Sequence, residues 1–441
     1  MNYVIIGGDA AGMSAAMQIF KYDERANITI IERGEIYSYA QCGLPYVLSG
    51  DITDIENLIV RTPSMYQKKF GMNALTKHEA TAIDETKKVV TGINHHTGEA
   101  FSIDYDKLLI ATGANPNRPS WEGINLANVF LLKDIPDLEA IMEKVDDGIE
   151  RVTIIGGGYV GLEVAESFCK LGKHVTLINR GQYVGKIFDE DMATYIHEEA
   201  KKHSIHFVFE ENTEKFAGTD RATHVITDQT EHETDLVIVS IGVHPNTEFL
   251  HSIQKTKKGA IIVNERMETN VRDVYAAGDC ATQFHRVKKA DDYIPLGTNA
   301  NKQGRIAGMN MVGVDRTFKG IVGSSVLKFM DLTLGKTGLT EKDATAAGFE
   351  HEAVMYKGKH IAAYFPGAED LYMKLVYEKN TNLLLGGQVI GKAGVDKRID
   401  VLATALYNEM TMDELEELDL SYAPPYNGVW DPIQKAARKA K

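Results

Sequence analysis

The chain opens on a short apolar run, Tyr3 to Ile6, which stops at Gly7-Gly8. A stretch of helical composition from Ala10 to Phe20 follows, and then the β-branched run Ile28 to Ile31. Short apolar runs bounded by glycine read as buried strands, so this order predicts strand, helix, strand. Much the same order returns at Val152 to Ile155, Val160 to Leu171 and His174 to Ile178. The pattern therefore predicts two Rossmann-like units. Between them, the region Lys87 to Phe101 reads as a hairpin turning at His95-His96-Thr97-Gly98, followed by a strand from Lys107 to Ala111. Past Asp279 the pattern changes. Gly297 to Met311 predicts a helix, and Val326 to Phe329, Ala353 to Met355, Met373 to Tyr377 and Gln388 to Ile390 predict strands. A separate C-terminal α+β domain is expected from about residue 323, with a Lys-rich end from Lys435 to Lys441.

Composition narrows the class. A chain of 441 residues exceeds one ordinary core, and 44% hydrophobic with 25% charged residues suits a globular α/β protein. The net charge of -14 repels polyphosphate, so neither nucleic acid nor an anionic membrane is an expected partner, and any anionic ligand needs a local basic pocket. Only three cysteines occur, Cys42, Cys169 and Cys280. An odd number of widely spaced cysteines argues against a secreted disulfide framework and for a reducing compartment, so the protein is expected in the cytoplasm. No leader peptide is legible, no run approaches the ~18 apolar residues of a membrane span, and no histidine pattern predicts a metal site.

The glycines carry the first chemistry. Gly7, Gly8 and Gly12 lie at a strand-to-helix turn, and Glu32 ends the next strand twenty positions after Gly12. Such a turn offers backbone N–H groups and a helix N-terminus to a pyrophosphate, while the carboxylate takes a ribose diol. The middle glycine of the GxGxxG pattern is replaced by Asp9. The second copy, Gly156, Gly158 and Gly161, keeps the full spacing. Its next strand ends in Asn179-Arg180, where an NAD site would carry an acid. Without the acid and with an arginine nearby, a 2′-phosphate is favoured, which predicts NADPH over NADH.

Two further segments point to a flavin at the first site: Ala111-Thr112-Gly113 at a strand end, and TNVRDVYAAGD from Thr269 to Asp279, whose acid can bind a ribityl hydroxyl. With two Rossmann units in this order, the chain resembles the pyridine nucleotide-disulfide oxidoreductases. Their usual pair of cysteines four residues apart is missing; Ser38 to Tyr46 reads SYAQCGLPY, which resembles the single-cysteine branch centred here on Cys42. That branch includes NADH peroxidases, water-forming NADH oxidases and CoA disulfide reductases. The peroxidases and oxidases place a histidine where this chain has Ala10. Tyr364 in AAYFPG, Lys397-Arg398-Ile399-Asp400 and Tyr422 in SYAPPY resemble CoA disulfide reductases, extending the likeness over the whole chain.

The resemblance implies a glutathione-reductase-like fold. A discontinuous FAD domain (1–118 and 245–322) and an NAD(P)H domain (119–244) would be followed by a dimerisation domain (323–441). It implies FAD contacts from Gly7, Gly8, Ala10, Ala11, Gly12, Glu32, Arg33, Ala111, Thr112, Gly113, Gly278, Asp279 and Ala300. NADPH contacts are implied for Gly156, Gly158, Tyr159, Val160, Gly161, Glu163, Asn179, Arg180 and Gly242. Ser14, Gln18, Lys21 and Arg25, at helical spacing on one face, would bind CoA with Ser38, Gln41, Lys68 or Lys69, and Asn301. Cys42 would alternate between thiolate and a mixed disulfide with CoA, its pKa lowered by flavin stacking, a following helix N-terminus or tyrosine hydroxyls. Tyr364 and Tyr422 would come from the partner subunit of a homodimer with shared active sites. Cys169 is expected as a small buried residue. The alternatives are an NAD(P)H oxidase, a CoA-persulfide or polysulfide reductase, and a redox-sensing flavoprotein.

Overall fold

A computed structural model of the chain describes residues 1–145, 148–185 and 187–440. Lys441, the last residue of the Lys-rich end, lies outside these. The first sheet has five parallel strands, in the order Val274–Ala276, Lys107–Ile110, Asn2–Ile6, Asn27–Ile31 and Asn73–Leu75. Strand Asn2–Ile6 is central, and its Val4, Ile5 and Ile6 are buried on both faces, as a parallel sheet covered by helices requires. The hairpin predicted around residues 87–101 is part of a three-stranded antiparallel meander, His78–Asp84, Val89–Asn94 and Ala100–Asp104. Its second turn spans 95–99 as expected.

The second sheet repeats the plan with Arg151–Ile155 at its centre, in the order His206–Phe209, His174–Asn179, Arg151–Ile155, Leu236–Val239 and Val129–Phe130. The short strands Ala114–Pro116 and Val243–Pro245 pair antiparallel where the chain passes between the two nucleotide units. The third sheet is antiparallel, ordered Ser325–Phe329, Leu332–Gly338, Leu384–Gly391, Asp370–Glu378 and His351–Lys359. Helix Gly297–Met311 spans the range the sequence predicts. It packs against helix Ala10–Tyr22 at close quarters. A Cβ on Gly304 or Gly308 would lie 2.1 Å from the Ala11 carbonyl oxygen or 2.5 Å from that of Ala15, so both positions require glycine.

The short helix after Cys42, Leu44–Leu48, is only five residues long and too short to stand alone. Leu44, Val47, Leu48 and the nearby Leu58 are buried in a core shared with Leu138, Ile141, Leu162 and Phe168 of the second unit and with Leu327 and Phe329 of the third. Each such side chain contributes about 1.5–3 kcal/mol of burial, which fixes the helix from outside its own sheet. The segment bearing Cys42 thus sits where all three units meet. No helix among the described residues is long and apolar enough to cross a membrane.

Candidate active site

The first glycine turn has the geometry a pyrophosphate needs. Gly7 has φ +112°, and a Cβ there would lie 2.1 Å from the Ala111 carbonyl oxygen; a Cβ on Gly12 would lie 1.9 Å from that of Gly7. Ala10, Ala11 and Gly12 form the first turn of helix Ala10–Tyr22. Glu32 accepts from the Gly8 N–H at 2.8 Å and from the Gly34 N–H at 2.8 Å, which holds its carboxylate at the mouth of a cleft. That cleft is lined by Gly7, Glu32, Arg33, Ala80, Thr112 and Phe249. Arg33 is tied to Asn115 at 2.7 Å, and the Thr112 hydroxyl donates to the Asn246 carbonyl at 2.7 Å. Gly113 turns at φ +66°.

At the far end of the turn, Gly278 has φ +85°, and a Cβ there would lie 2.9 Å from Cβ of Ala11 and 3.5 Å from that of Ala300. Asp279 therefore sits between two helix N-termini. Its Oδ1 is buried without a hydrogen-bond partner among the described residues, and burial pushes its carboxyl up. A buried oxygen left unpaired is costly, and a ligand hydroxyl at this point would satisfy it. The residues present therefore fit a flavin dinucleotide.

The second turn follows the same rules. Gly156 has φ +106°, with the Ser240 carbonyl oxygen 2.3 Å from where its Cβ would be; Gly161 abuts the Gly156 oxygen in the same way, at 2.0 Å. Gly158, Tyr159 and Val160 open helix Tyr159–Lys170, and Gly242 turns at φ +97°. Asn179 fills the place of the missing acid but spends its amide on the loop. Its Nδ2 donates to the Gly181 and Tyr183 carbonyls at 3.1 and 2.9 Å, and its Oδ1 accepts from Gly157 at 3.4 Å. Arg180 is exposed, with no ion-pair partner among the described residues. The loop closes at Asp189, which Gln388 of the third sheet holds through bonds of 2.7 and 2.6 Å.

Cys42 lies in a tight turn, Gln41–Gly43, and is exposed. No second cysteine is near it. Cys169 donates to the His203 carbonyl at 3.4 Å and is half-buried rather than buried, and Cys280 is buried against the Ile110 and Ala277 carbonyls at 3.4 Å. Within one chain, the protein's own groups act in the opposite direction to the expected lowering of the thiol pKa. Burial pushes the Cys42 thiol up, and Glu163, Asp279 and Asp9 add to the effect. The following helix has only five residues, so its N-terminal dipole is small. Glu163 faces this centre as well as the second nucleotide turn. Burial, with Glu166 beside it, raises its carboxyl to about 7.

The sequence missed Lys133. It precedes helix Ile135–Val145, its backbone N–H is held by Asp137 at 2.8 Å, and its Nζ donates to Oε1 of Gln41 at 3.0 Å. Its charge opposes the carboxylates around Cys42. No motif could have found it, because the contact joins residues 92 positions apart.

The residues expected to bind CoA divide into three groups. Ser14 and Asn301 are joined by a hydrogen bond of 2.8 Å between the two packed helices, and Gln18 and Lys21 continue along the first of them. Arg25 is not at a helical position, because the helix ends at Tyr22 so that the chain can turn into strand Asn27–Ile31. Lys68 and Lys69 lie in the last turn of helix Pro63–Phe70, which packs beside the first helix through Phe20 and Phe70, ring centres 5.4 Å apart. Ser38, with a left-handed φ of +46°, bonds the Tyr66 hydroxyl of that helix at 2.7 Å. Arg61, also missed by the sequence, lies over the rings of Tyr66 and Phe70, 5.9 and 5.7 Å from their centres, and adds a cation to this face.

Tyr364 and Tyr422 are brought together with hydroxyl oxygens 3.4 Å apart, yet 76% and 47% exposed. Arg398 explains the pairing. It is 1% exposed and donates to the His360 carbonyl at 2.8 Å, to Asn427 Oδ1 at 3.2 Å and to Asp431 at 3.0 Å. Asn427 in turn donates to the Ser421 carbonyl at 3.1 Å. The motif residue thus fastens the segment before Tyr364 to the one carrying Tyr422. Glu199, His203 and Asp331 also gather, with one ligand atom each within 4.8 Å, although no histidine pattern predicted such a group. Glu199 there already accepts from the Asp331 N–H and pairs with Lys202.

Comparison with known proteins agrees with this geometry. Residues 1–304 match the Pyridine nucleotide-disulphide oxidoreductase family, and residues 324–432 match its dimerisation domain. The chain belongs to the pyridine nucleotide-disulphide oxidoreductase family. Membership implies FAD and NAD(P)H as cofactors. Among members of this family, the chain is 38% identical over 99% of its length, and 98% of the relative's, to an NAD(P)H coenzyme A polysulfide/persulfide reductase of Pyrococcus horikoshii. It is 34% identical to a coenzyme A disulfide reductase of Staphylococcus aureus, covering 99% of both chains. A water-forming NADH oxidase from Lactobacillus brevis superposes with a TM-score of 0.97 at 32% identity, over 100% of this chain and 98% of that one.

Proposed function

We propose that this oxidoreductase reduces CoA disulfide to two CoA thiols with NADPH, through a mixed disulfide on Cys42. The observation that carries the reading is an exposed Cys42 at the meeting point of the two nucleotide turns, with no second cysteine placed to resolve it. A lone thiolate can take part in disulfide exchange only if the substrate supplies the second sulfur.

When bound, the flavin would supply two-electron transfer between the nicotinamide and sulfur; Gly7, Gly8, Glu32 and Asp279 would hold it. The Cys42 thiolate attacks one sulfur of CoA disulfide, and the other CoA leaves as thiolate. Two electrons that originate on NADPH then cleave the Cys42–CoA bond, restoring the thiolate and releasing the second CoA. Tyr364 and Tyr422 of a second copy would donate hydrogen bonds to the departing sulfurs, so the active site is shared across a homodimer. Their exposure within one chain supports this. Asp279, whose carboxyl burial pushes up and whose Oδ1 has no partner among the described residues, would accept a hydrogen bond from a flavin hydroxyl. Arg180 would bind the 2′-phosphate of NADPH, and Lys21, Lys69 and Arg61 the phosphates of CoA.

The three sheets support domain limits of 1–118 with 245–322, 119–244 and 323–441. The three cysteines, none paired with another, support a reducing, cytoplasmic setting. A second reading, reduction of CoA persulfide or polysulfide, is favoured by the 38% identity to the Pyrococcus horikoshii protein. NADPH oxidation by the FAD-loaded enzyme, compared with CoA disulfide, CoA persulfide and oxygen as acceptors, separates the readings. CoA disulfide should give the highest kcat/KM. A higher value with persulfide would favour the second reading, and a higher one with oxygen would make the protein an oxidase.

A further inference from the structure

Cys42 has a problem the sequence conceals. Exchange needs a thiolate, yet the charged groups that face its sulfur are mainly carboxylates. Glu163 comes from helix Tyr159–Lys170, Asp279 from the turn after strand Val274–Ala276, and Asp9 from the first glycine turn. A carboxylate near a thiol disfavours the thiolate, and burial adds to the penalty. The cation on the other side of the balance is Lys133.

Its placement is specific. Lys133 belongs to the second nucleotide unit but reaches the first, where its Nζ donates to Gln41 Oε1 at 3.0 Å, on the residue next to Cys42. Gln41 is itself oriented, because its Nε2 donates to Asp9 Oδ2 at 3.1 Å and to the Tyr39 hydroxyl at 3.3 Å. The base of the lysine is fixed too: Asp137 accepts from the backbone N–H groups of Lys133 and Asp134, and the Asp134 side chain accepts from the Asp137 N–H at 3.0 Å. A half-buried lysine held at both ends keeps little freedom to leave the neighbourhood of Gln41 and the adjoining Cys42.

We propose that Lys133 is a positioning residue for the redox sulfur, and that its ammonium, hung from the Gln41 side chain, offsets the surrounding carboxylates and favours the thiolate form of Cys42. In this step the S–H bond breaks with its electron pair left on sulfur, the proton goes to solvent, and no other bond to sulfur changes. The role rests on Cys42 being the redox sulfur and deepens that reading. It also accounts for Asp9 in the place of a glycine: the carboxylate anchors Gln41, which aims Lys133. Burial, with Glu32 beside it, raises the Asp9 carboxyl to about 6, so it is an anion through the neutral range in which the enzyme would work.

The test is the pH dependence of Cys42 alkylation by iodoacetamide in reduced, FAD-loaded enzyme, followed by peptide mass spectrometry so that Cys169 and Cys280 are counted apart. An opposite charge at close range shifts a thiol by 1–3 units, and about one unit is expected for a half-buried lysine. In Lys133→Met the midpoint should rise by about one unit, slowing alkylation about tenfold at pH values below both midpoints. Lys133→Arg should restore most of it, and Gln41→Leu should move it part of the way in the same direction. A Lys133→Met midpoint equal to that of the unaltered enzyme overturns the proposal, as does an arginine variant shifted as far as the methionine one. Neither outcome depends on CoA disulfide being the substrate. Failure of that reading would appear instead as Cys42→Ser enzyme that still turns over CoA disulfide.

Discussion

Arg398→Met is the substitution whose consequence can be worked through from contacts in the third unit. The guanidinium is 1% exposed and meets the carbonyls of Gly394 and His360, the Asn427 side chain and the Asp431 carboxylate. Removing one partner of a buried ion pair costs about 3–5 kcal/mol, because the other charge remains without compensation. Asp431 retains its cap of helix Pro432–Arg438, with the Ile433 N–H donating at 2.8 Å within a capping box to Gln434, which places the loss near the lower end, about 3 kcal/mol. For a unit of this size the first thermal transition should fall by about 10 °C. The two tyrosine-bearing segments also lose their common fastener, so CoA disulfide turnover should drop at least tenfold. Reduction of an artificial acceptor such as ferricyanide by NADPH, which needs only the two nucleotide units, should change less than twofold. Removing the orphaned charge as well, in Arg398→Met/Asp431→Asn, should recover part of the thermal loss but not the turnover. An Arg398→Met enzyme with unchanged melting and normal CoA disulfide turnover would refute the reasoning, as would equal losses in both assays.

Three other outcomes follow. Arg180→Leu should raise the KM for NADPH about tenfold and leave that for NADH nearly unchanged; unaltered enzyme with a much higher kcat/KM for NADH than for NADPH would contradict the cofactor assignment. Glu163 is raised to about 7 from an ordinary value near 4.5, so the fold favours its protonated form and the stability cost of ionisation appears as pH rises through that window. Glu163→Gln should therefore melt higher than the parent at pH 8, by an amount on the order of 3 kcal/mol at most, and the gain should vanish below about pH 4.5; a gain independent of pH would rule out this cause. Raising ionic strength, or replacing Lys69 and Arg61 by glutamine, should raise the KM for CoA disulfide several-fold, whereas a KM indifferent to both would remove these cations from the CoA site.

The nucleotide units were legible because their signals are local. A buried parallel strand, a glycine that must pass another backbone and an acid at a strand end each leave a mark within thirty residues. Helix Gly297–Met311 was legible in the same way. What escaped the sequence comes from contacts across the fold. Lys133 meets Gln41 across 92 positions, and Arg61 joins the basic face only because helix Pro63–Phe70 packs against helix Ala10–Tyr22. Arg25 fits a helical spacing on paper, but the chain needs those residues for the turn that brings Asn27 alongside Asn2. The carboxylates around Cys42 escaped the sequence for a related reason: they arrive from three separate segments, while the helix after Cys42 is short. Tyr364 and Tyr422 were found through resemblance alone, and Arg398 supplies the physical reason for their pairing.

The central claim is that CoA supplies the sulfur that Cys42 lacks. Intact-mass and peptide mass spectrometry of enzyme purified without reductant tests it most directly. The account predicts an adduct of CoA mass on Cys42, absent from Cys169 and Cys280 and released as free CoA when NADPH is added to the FAD-loaded protein. An unmodified or stably sulfenylated Cys42 that forms no adduct on incubation with CoA disulfide would contradict it.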